Sequence, residues 1–285
     1  MDKGFAPAKV NLALHVTGQG PDGYHQLDSL VVFAGTGDQL SAIPSRDLTL
    51  TVSGPFAAGV PTDDANLVLR AARALREVRG IQKGAAIKLL KHLPHGAGIG
   101  SGSSDAAAAI RLLAKLWEVE PLAPDAPEVL ALGSDVPVCL QAPQPMRMRG
   151  RGERMEPLPR LPSLGLVLVN PGATLPTRDV FRALARKQNP PLPELPEMRR
   201  PEDFADWLKT LRNDLQAPAE KLAPSIGEAL ETLRRTPGVL AAVMSGSGAT
   251  CVGITKDAGV ARNAARIIQL ARLGWWVAPA PLMPA

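Results

Sequence analysis

Four glycines alternate with small residues between positions 94 and 105, where the chain reads Pro-His-Gly-Ala-Gly-Ile-Gly-Ser-Gly-Ser-Ser-Asp. Glycine tolerates positive φ angles, and a loop that uses them can turn several N–H groups towards one point. Residues 106–117 are strong helix formers, and Ser103, Ser104 and Asp105 stand where the N-cap and first-turn residues of that helix belong. A helix N-terminus offers free amides and the positive end of the macrodipole, which together bind anions. The stretch therefore predicts a phosphate-binding loop.

Other glycine-rich motifs do not fit this loop. A dinucleotide-binding fingerprint that starts at Gly96 or Gly98 needs glycine at position 101 or 103, and both are serine. A P-loop requires a lysine after its last glycine, and no lysine follows the glycines of this loop. A nucleophile elbow has the pattern Gly-x-Ser-x-Gly, and no serine of the loop has these glycine neighbours. A flexible linker is the remaining alternative, although an apolar run at 85–90 and a helix-forming run bracket the loop.

A lysine and an asparagine share one face of the first predicted strand. Apolar residues alternate with others over positions 8–16, which is the two-residue period of a half-buried strand. Lys9 and Asn11 then project opposite the apolar face. This segment by itself fits a solvated lysine as well as a functional one.

Tyr24, His25 and Asp135 occupy predicted loop or turn positions. Residues 18–23 have turn chemistry and residues 27–34 form a returning strand, so Tyr24 and His25 lie at its rim. Tyr24, the only tyrosine in the chain, could equally cap the hydrophobic edge of the hairpin. Asp135 directly precedes a predicted short apolar strand, a position where aspartate is ordinarily a turn residue.

The composition excludes several classes of protein. The 285 residues are 45% hydrophobic and 21% charged, which is typical of one large or two ordinary globular domains. No window has the roughly 18 apolar residues of a membrane span, and Lys9 and Asn11 interrupt the first apolar stretch, which argues against a signal peptide. Cys139 and Cys251 lie in apolar runs, which favours buried reduced thiols and a cytoplasmic location. The net charge of +5 fits anionic substrates and, equally, weak nucleic-acid binding.

The second half of the chain has the pattern of a separate domain. A strand is predicted near 164–169, a helix at 176–187 and a proline-rich loop at 189–201, followed by further helices. Two strands surround Ser245-Gly-Ser-Gly, and a helix and a last strand complete the chain. Helices combined with strands that can pair antiparallel form α+β layers.

Together and in this order, these motifs resemble the GHMP kinase superfamily of small-molecule kinases. The resemblance spans nearly the whole chain, and the glycine loop alone would identify only the superfamily. Pro21-Asp-Gly-Tyr-His and Gly133-Ser-Asp-Val-Pro narrow it to the kinases of non-mevalonate isoprenoid biosynthesis. The other motifs are Ala6-Pro-Ala-Lys-Val-Asn-Leu, Pro176-Thr-x-x-Val-Phe, Asn213-Asp-Leu and Ser245-Gly-Ser-Gly-Ala. The small departures are His95, Ile99 and Ser101, of which His95 could alter how the loop closes.

The resemblance implies an α+β, two-domain GHMP kinase architecture. The first domain, residues 1–157, would have a ribosomal-S5-domain-2-like fold and carry the ATP loop. The second domain, residues 158–285, would be a ferredoxin-like α/β layer domain. The implied reaction transfers the γ-phosphoryl group of ATP to the 2-hydroxyl of the methylerythritol part of a cytidine diphosphate-linked polyol.

The resemblance also implies roles for individual residues. Asp135 would be the general base that takes the hydroxyl proton, Lys9 would lie beside it and offset charge, and Asn11 would orient the acceptor. The residues that would hold the ATP phosphates are Pro94, Gly96, Gly98, Gly100, Ser101, Gly102, Ser103 and Ser104.

Binding the cytosine end of such a substrate needs aromatic rings that stack on the base and a polar side chain that hydrogen-bonds its edge. By resemblance, Tyr24 and Phe181 would sandwich the base and His25 would hydrogen-bond its edge; stacking is worth roughly 1–3 kcal/mol per base. Thr177 would add a polar contact nearby. A second glycine loop would line the cleft opposite the first and consists of Gly246, Ser247 and Gly248. Mg²⁺ should accompany ATP, but no acidic pair has convincing ligand spacing, so the sequence names no metal ligand.

Two alternatives remain open. Another GHMP-type kinase, acting on homoserine or mevalonate, would not require a base-stacking pair. An RNA-binding module would use the arginines at 147–154, which otherwise form a solvated hairpin, and a salt-dependent RNA affinity without ATP turnover would identify it. We expect small-molecule partners, no nucleic acid, no membrane, and a monomer or weak homodimer.

Overall fold

The computed structural model describes residues 2–21 and 23–285, so Asp22 of the Pro-Asp-Gly-Tyr-His motif lies outside the described residues. The strands are β1 (Asp2–Gln19), β2 (His25–Ser45), β3 (Leu48–Ser53), β4 (Gly84–Leu90), β5 (Met146–Gly150), β6 (Arg154–Pro157), β7 (Gly165–Asn170), β8 (Val239–Met244), β9 (Cys251–Thr255) and β10 (Trp276–Pro281). The helices are α1 (Leu67–Val78), α2 (Ser101–Trp117), α3 (Pro127–Leu132), α4 (Val136–Leu140), α5 (Thr177–Arg182), α6 (Pro201–Leu208), α7 (Gln216–Leu222), α8 (Ser225–Arg235) and α9 (Ala258–Ala271).

The chain forms two compact units, neither of them continuous in sequence. Unit 1 comprises the chain up to Ala8, Gly37–His95 and Gly100–Ala142. Unit 2 comprises Lys9–Thr36, Gly96–Ile99 and Pro143–Ala285. β1 and β2 therefore each contribute one part to each unit. The domain boundary that the sequence suggested between residues 157 and 158 stays a prediction.

Unit 1 combines a small sheet with four helices. The end of β2 pairs antiparallel with β4, from Gln39 opposite Leu90 to Ser45 opposite Gly84, and β3 pairs parallel with β4. α1 begins after Asn66, whose side chain accepts a hydrogen bond from the Val68 N–H at 2.9 Å, as an N-cap residue does. The spans predicted for α1, α3 and β4 are confirmed to within one residue.

Unit 2 contains a hairpin and a four-stranded antiparallel sheet. β5 pairs with β6 and with the start of β2, from Leu27 opposite Gly150 to Val31 opposite Met146. The sheet has the strand order β10-β7-β9-β8, and α8 and α9 bury apolar side chains against it. The strands predicted on both sides of Ser245 are confirmed.

β1 is buried on both faces over residues 6–16, so the prediction of a half-buried strand is wrong. The polar side chains of its second face have hydrogen-bond partners inside unit 2, which allows their burial. For example, Nδ1 of His15 lies 3.0 Å from the carbonyl oxygen of Pro190. The strand pattern alone could not show that a second layer covers this face.

Two further predictions of secondary structure are wrong. The segment after Asp135 is the helix α4, because Pro137 occupies its first turn, where a missing N–H costs little, and its apolar side chains are buried. The helix predicted at 176–187 ends at Arg182. Beyond it, the Leu184 N–H donates to the Phe181 carbonyl, a tighter turn than the α-helix, and Leu184 is buried.

Within residues 2–21 and 23–285, the structure has no helix of the length and apolarity needed to cross a bilayer. Cys139 and Cys251 are both buried, as predicted. Burial raises the pKa of the Cys251 thiol, so this residue is a neutral core side chain at physiological pH.

Candidate active site

Three glycines of the loop between β4 and α2 have left-handed backbone conformations. The φ angle is 63° at Gly96, 74° at Gly98 and 59° at Gly100. A Cβ atom at Gly98 would also lie 2.5 Å from the carbonyl oxygen of Ser245 and 2.6 Å from that of Gly248. Glycine is therefore required at position 98 both for the backbone conformation and for the close approach of a second segment.

The helix that follows this loop begins earlier than the sequence indicated. α2 starts at Ser101, and Gly100 is its N-cap. Ser103 and Ser104 therefore lie in the first turn, as predicted, but the prediction that one of Ser103, Ser104 and Asp105 is the N-cap is wrong. The first hydrogen bond within the helix runs from the Ser104 N–H to the Gly100 carbonyl at 2.8 Å. The N–H groups of residues 101–103 precede this bond at the start of the helix. The Ser104 hydroxyl is fully buried and donates to the Pro7 carbonyl at 2.7 Å.

Lys9 and Asn11 are adjacent members of a buried hydrogen-bond chain in unit 2. Nζ of Lys9 donates to Oδ1 of Asn11 at 2.8 Å. Nδ2 of Asn11 donates to Oγ of Ser29 at 2.7 Å, and that hydroxyl donates to the Ala13 carbonyl at 2.7 Å. Lys9 and Asn11 are each only 4% exposed, so Lys9 is not a solvated surface lysine.

Ser245 joins β1 to the glycine loop, a role that the sequence did not indicate. Its Oγ accepts a hydrogen bond from the Asn11 backbone N–H at 3.0 Å and donates to the Gly98 carbonyl at 2.9 Å. The Thr250 N–H adds a bond to the Ala97 carbonyl at 3.1 Å. The Ser245 side chain thus fixes both the backbone of β1 beside Lys9 and the centre of the glycine loop.

The second glycine loop packs directly against Gly98. A Cβ atom at Gly246 would lie 2.9 Å from the Gly98 carbonyl oxygen. The two glycine loops are therefore in contact, and the predicted role of the second loop in lining the substrate cleft stays a prediction. Asn213 holds the loop, because its Nδ2 donates to the carbonyls of Met244 and Gly246, both at 2.8 Å.

Two of the predicted base-binding residues stack on each other. The His25 and Phe181 rings have centroids 4.8 Å apart and planes 27° apart. Nε2 of His25 is buried and has no hydrogen-bond partner among the described residues. Burial, and secondly the positive charge of Lys187, lower the pKa of His25, so its imidazole is neutral at pH 7.

The remaining predicted substrate residues also lie in unit 2. Tyr24 is 61% exposed, and the guanidinium of Arg151 lies over its ring, 4.5 Å from the centroid. The hydroxyls of Thr177 and Ser247 are 2.9 Å apart and share a hydrogen bond. α5 therefore contributes Thr177 and, one turn later, Phe181.

Asp135 belongs to unit 1 and occupies the N-cap position of α4, with φ −92° and ψ −13°. Its carbonyl accepts a bond from the Cys139 N–H at 3.1 Å, whereas its carboxylate does not cap the helix. The residue is partly exposed. The predicted proximity of Asp135 to Lys9 stays a prediction.

The hairpin arginines do not form a uniform phosphate-binding surface. Arg147 is buried and makes a bidentate ion pair with Asp28, at 2.9 and 2.8 Å. Nη1 of Arg149 lies 2.8 Å from Oε1 of Glu156, so this arginine is also paired with a carboxylate.

In the part of the chain that the structure describes, no three His, Cys, Asp or Glu side chains form a group that could hold a metal ion.

Comparison with known proteins decides the family. The model of the GHMP kinases N terminal domain matches residues 66–142, and that of GHMP kinases C terminal matches residues 192–271. A 4-diphosphocytidyl-2-C-methyl-D-erythritol kinase of Cereibacter sphaeroides is 52% identical over 282 residues, which are 98% of this chain and 99% of that protein. The chain belongs to the GHMP kinase family.

Solved structures of this family agree with the fold. A crystal structure of 4-(cytidine 5'-diphospho)-2C-methyl-D-erythritol kinase has a TM-score of 0.80 and 33% identity, covering 99% of this chain and 100% of that one. A homoserine kinase of Cytophaga hutchinsonii has a TM-score of 0.67 at 16% identity, covering 99% of this chain and 94% of its own, and shares only the fold. The two-domain GHMP kinase architecture predicted from the sequence is confirmed.

Proposed function

We propose that this chain is an ATP-dependent kinase that phosphorylates the 2-hydroxyl of 4-diphosphocytidyl-2-C-methyl-D-erythritol in non-mevalonate isoprenoid precursor biosynthesis. Identity over nearly the whole chain to a kinase named for this substrate supports the proposal. The homoserine alternative has the support of a common fold alone. An RNA-binding module is not favoured, because Arg147 is buried in an ion pair with Asp28.

The observation that carries the choice of substrate is Nε2 of His25, which is buried and has no hydrogen-bond partner among the residues that the structure describes. A neutral imidazole offers one donor and one acceptor, and the buried Nε2 has no protein partner among the described residues. A buried polar atom of this kind needs a partner, and the edge of a cytosine provides both hydrogen-bond donors and acceptors. Homoserine and mevalonate have no base to place there. Tyr24 and Phe181 would supply the stacking surfaces, and Thr177 and Ser247 a polar contact.

For ATP, we propose that the glycine loop and the first turn of α2 hold the phosphates. The left-handed conformations of Gly96, Gly98 and Gly100 and the amides of residues 101–103 support this. The Ser104 hydroxyl, which donates to Pro7, would keep its structural role. Mg²⁺ would enter as part of the MgATP substrate, since this ion keeps several waters and is commonly held by substrate phosphates.

In the proposed reaction, Asp135 takes the proton of the 2-hydroxyl as its oxygen attacks the γ-phosphorus of ATP. The bond between the γ-phosphorus and the bridging oxygen breaks, and ADP leaves. The ammonium of Lys9 offsets the negative charge on the reacting oxygens. Asn11 would act mainly by orienting Lys9, since Oδ1 accepts from the ammonium and Nδ2 is bonded to Ser29.

The test is an assay of ADP release with three acceptors in parallel. We expect ADP release with 4-diphosphocytidyl-2-C-methyl-D-erythritol and none above background with homoserine or mevalonate. Product analysis by ³¹P NMR would show a new phosphomonoester at the 2-position. Faster turnover of either other acceptor, or no turnover of the cytidine compound, would overturn the proposal.

The proposed substrates also bear on location and assembly. The burial of Cys139 and Cys251 within apolar segments supports a reducing cytoplasmic location, where ATP is abundant. We further propose a monomer or weak homodimer, which sedimentation velocity over a range of concentrations would distinguish from a stable oligomer.

A further inference from the structure

Three charged side chains of unit 1 are buried in one cluster beside the glycine loop. Nζ of Lys91 donates to Oδ2 of Asp105 at 2.7 Å and also to Oδ2 of Asp38. The other oxygen of Asp38 accepts the backbone N–H groups of His92, at 2.5 Å, and Leu93, at 2.8 Å. All three charged residues are at most 3% exposed. Oδ1 of Asp105 is buried and has no hydrogen-bond partner among the described residues.

The cluster connects the two ends of the glycine loop. Leu93 ends the segment that enters the loop from β4, and Asp105 lies in α2, which leaves the loop at Ser101. Lys91 is bonded to Asp105 directly and to the backbone of Leu93 through Asp38. The intervening segment is rich in glycine, and without such ties ordering it would cost more conformational entropy.

The backbone of Lys91 is itself fixed from a second side. Its N–H donates to the Ser53 carbonyl at 2.8 Å, at the end of β3. A Cβ atom at Gly54 would lie 2.5 Å from the Lys91 carbonyl oxygen, so β3 and this residue are in close contact. The backbone of Lys91 is thus held in place by β3, and the side chain of Lys91 ties the glycine-rich loop to it.

The cluster has two carboxylates for one ammonium. The pKa of Asp105 is raised to about 7, chiefly by burial, with the negative charge of Asp38 acting in the same direction and Lys91 opposing it. The ionisable groups that act on Asp105 are therefore Asp38 of β2 and Lys91, which follows β4. Above neutral pH the Lys91–Asp105 hydrogen bond joins two ions, and below it the acceptor is a neutral acid, which binds less strongly.

We propose that Lys91, held between Asp38 and Asp105, is a positioning residue for ATP: it fixes the two ends of the phosphate-binding loop relative to each other. The cluster contacts no reacting atom in this scheme. It acts on the affinity for ATP through the shape of the loop, and it has no role in the recognition of the cytidine substrate. The inference rests on the proposed assignment of this loop to the ATP phosphates.

Two substitutions of Asp105 test the proposal, with Leu75→Ala in α1 as a control that removes a fully buried, uncharged side chain from the core of the same unit. Asp105→Ala removes the tie to α2 and should raise the KM for ATP about tenfold, with kcat and the KM for the cytidine substrate within about twofold of wild type. Asp105→Asn keeps an acceptor for Lys91 but cannot ionise. Its KM for ATP should equal that of wild type at pH 6 and be about threefold higher at pH 8.

The proposal would be overturned if the ratio of the KM for ATP in Asp105→Asn to that in wild type were the same at pH 6 and pH 8. It would also be overturned if Asp105→Ala and Leu75→Ala changed kcat, the KM for ATP and the KM for the cytidine substrate to the same extent. Should Asp105→Ala fail to fold, the pH comparison with Asp105→Asn still decides. Equilibrium titration with MgATP alone is run beside the assays. If wild-type protein bound MgATP but did not turn over the cytidine compound, the proposed substrate would be refuted. The effect of the Asp105 substitutions on the affinity for MgATP could still be measured. Protein that does not bind MgATP would refute both.

Discussion

Replacement of Asp105 by asparagine should change how the folding stability depends on pH. The pKa of Asp105 is raised from its ordinary value of 3.8 to about 7 in the folded protein, chiefly by burial. Between these two values the folded protein holds a proton that the unfolded chain has released. Because of this group alone, the free energy of unfolding is highest below pH 3.8 and falls as the pH rises through 7. Asparagine does not titrate, so the variant lacks this term.

The size of the effect follows from the two pKa values. One pKa unit corresponds to about 1.4 kcal/mol, so the change from 3.8 to about 7 corresponds to about 4 kcal/mol. About 2 to 3 kcal/mol of this falls between pH 5 and pH 8. The free energy of unfolding of Asp105→Asn, measured relative to wild type, should therefore rise by that amount over this range. Urea denaturation at pH 5, 6, 7 and 8, followed by circular dichroism at constant ionic strength, measures it.

Leu75→Ala is the control for this experiment. Leu75 is fully buried and does not titrate, so its substitution should lower the free energy of unfolding by about 2–5 kcal/mol at every pH. If the difference between Asp105→Asn and wild type is as constant as that of the control, the carboxyl group does not retain its proton near neutral pH, and the reasoning on the cluster's charge is refuted.

Three further substitutions test the candidate site itself. Asp135→Asn should lower kcat by about two to four orders of magnitude while calorimetry shows unchanged ATP binding, and near-normal turnover would remove Asp135 as the base. Phe181→Ala should raise the KM for the cytidine substrate about 5- to 150-fold, the equivalent of roughly 1–3 kcal/mol of stacking, with the KM for ATP unchanged. Equal losses for both substrates would assign this ring to the wrong nucleotide. Gly98→Ala should lower both the melting temperature and the affinity for ATP, because its Cβ would lie 2.5 Å from the Ser245 carbonyl oxygen; wild-type values of both would contradict this close approach.

Elements with strong local signals were predictable from the sequence. α1 has Asn66 as its N-cap and Gly80 just beyond its end, and α3 has Pro127 in its first turn. The glycine loop was recognisable because left-handed conformations favour glycine, as the φ angles confirm. The family followed from the order of motifs along the chain. Each of these signals is contained in a few consecutive residues.

Contacts between distant residues were not predictable in the same way. Asn11 and Ser245 are 234 positions apart, and no local pattern marks Ser245 as the residue that joins β1 to the glycine loop. Asp38 and Lys91 are 53 positions apart, and no local pattern marks them as partners in a buried ion pair. The burial of both faces of β1 has the same origin, since a strand pattern describes one segment and not the layers that cover it.

These long-range contacts also resolve the one alternative that the loop sequence left open. Left-handed glycines by themselves are compatible with a flexible linker, because they add conformational freedom instead of removing it. In unit 2, the centre of the loop is bonded to Ser245, and a side chain at Gly98 would clash with that segment. In unit 1, the ends of the loop are tied to Asp38 and Lys91. Residues outside the loop therefore determine its shape, and glycine is required so that they can approach it.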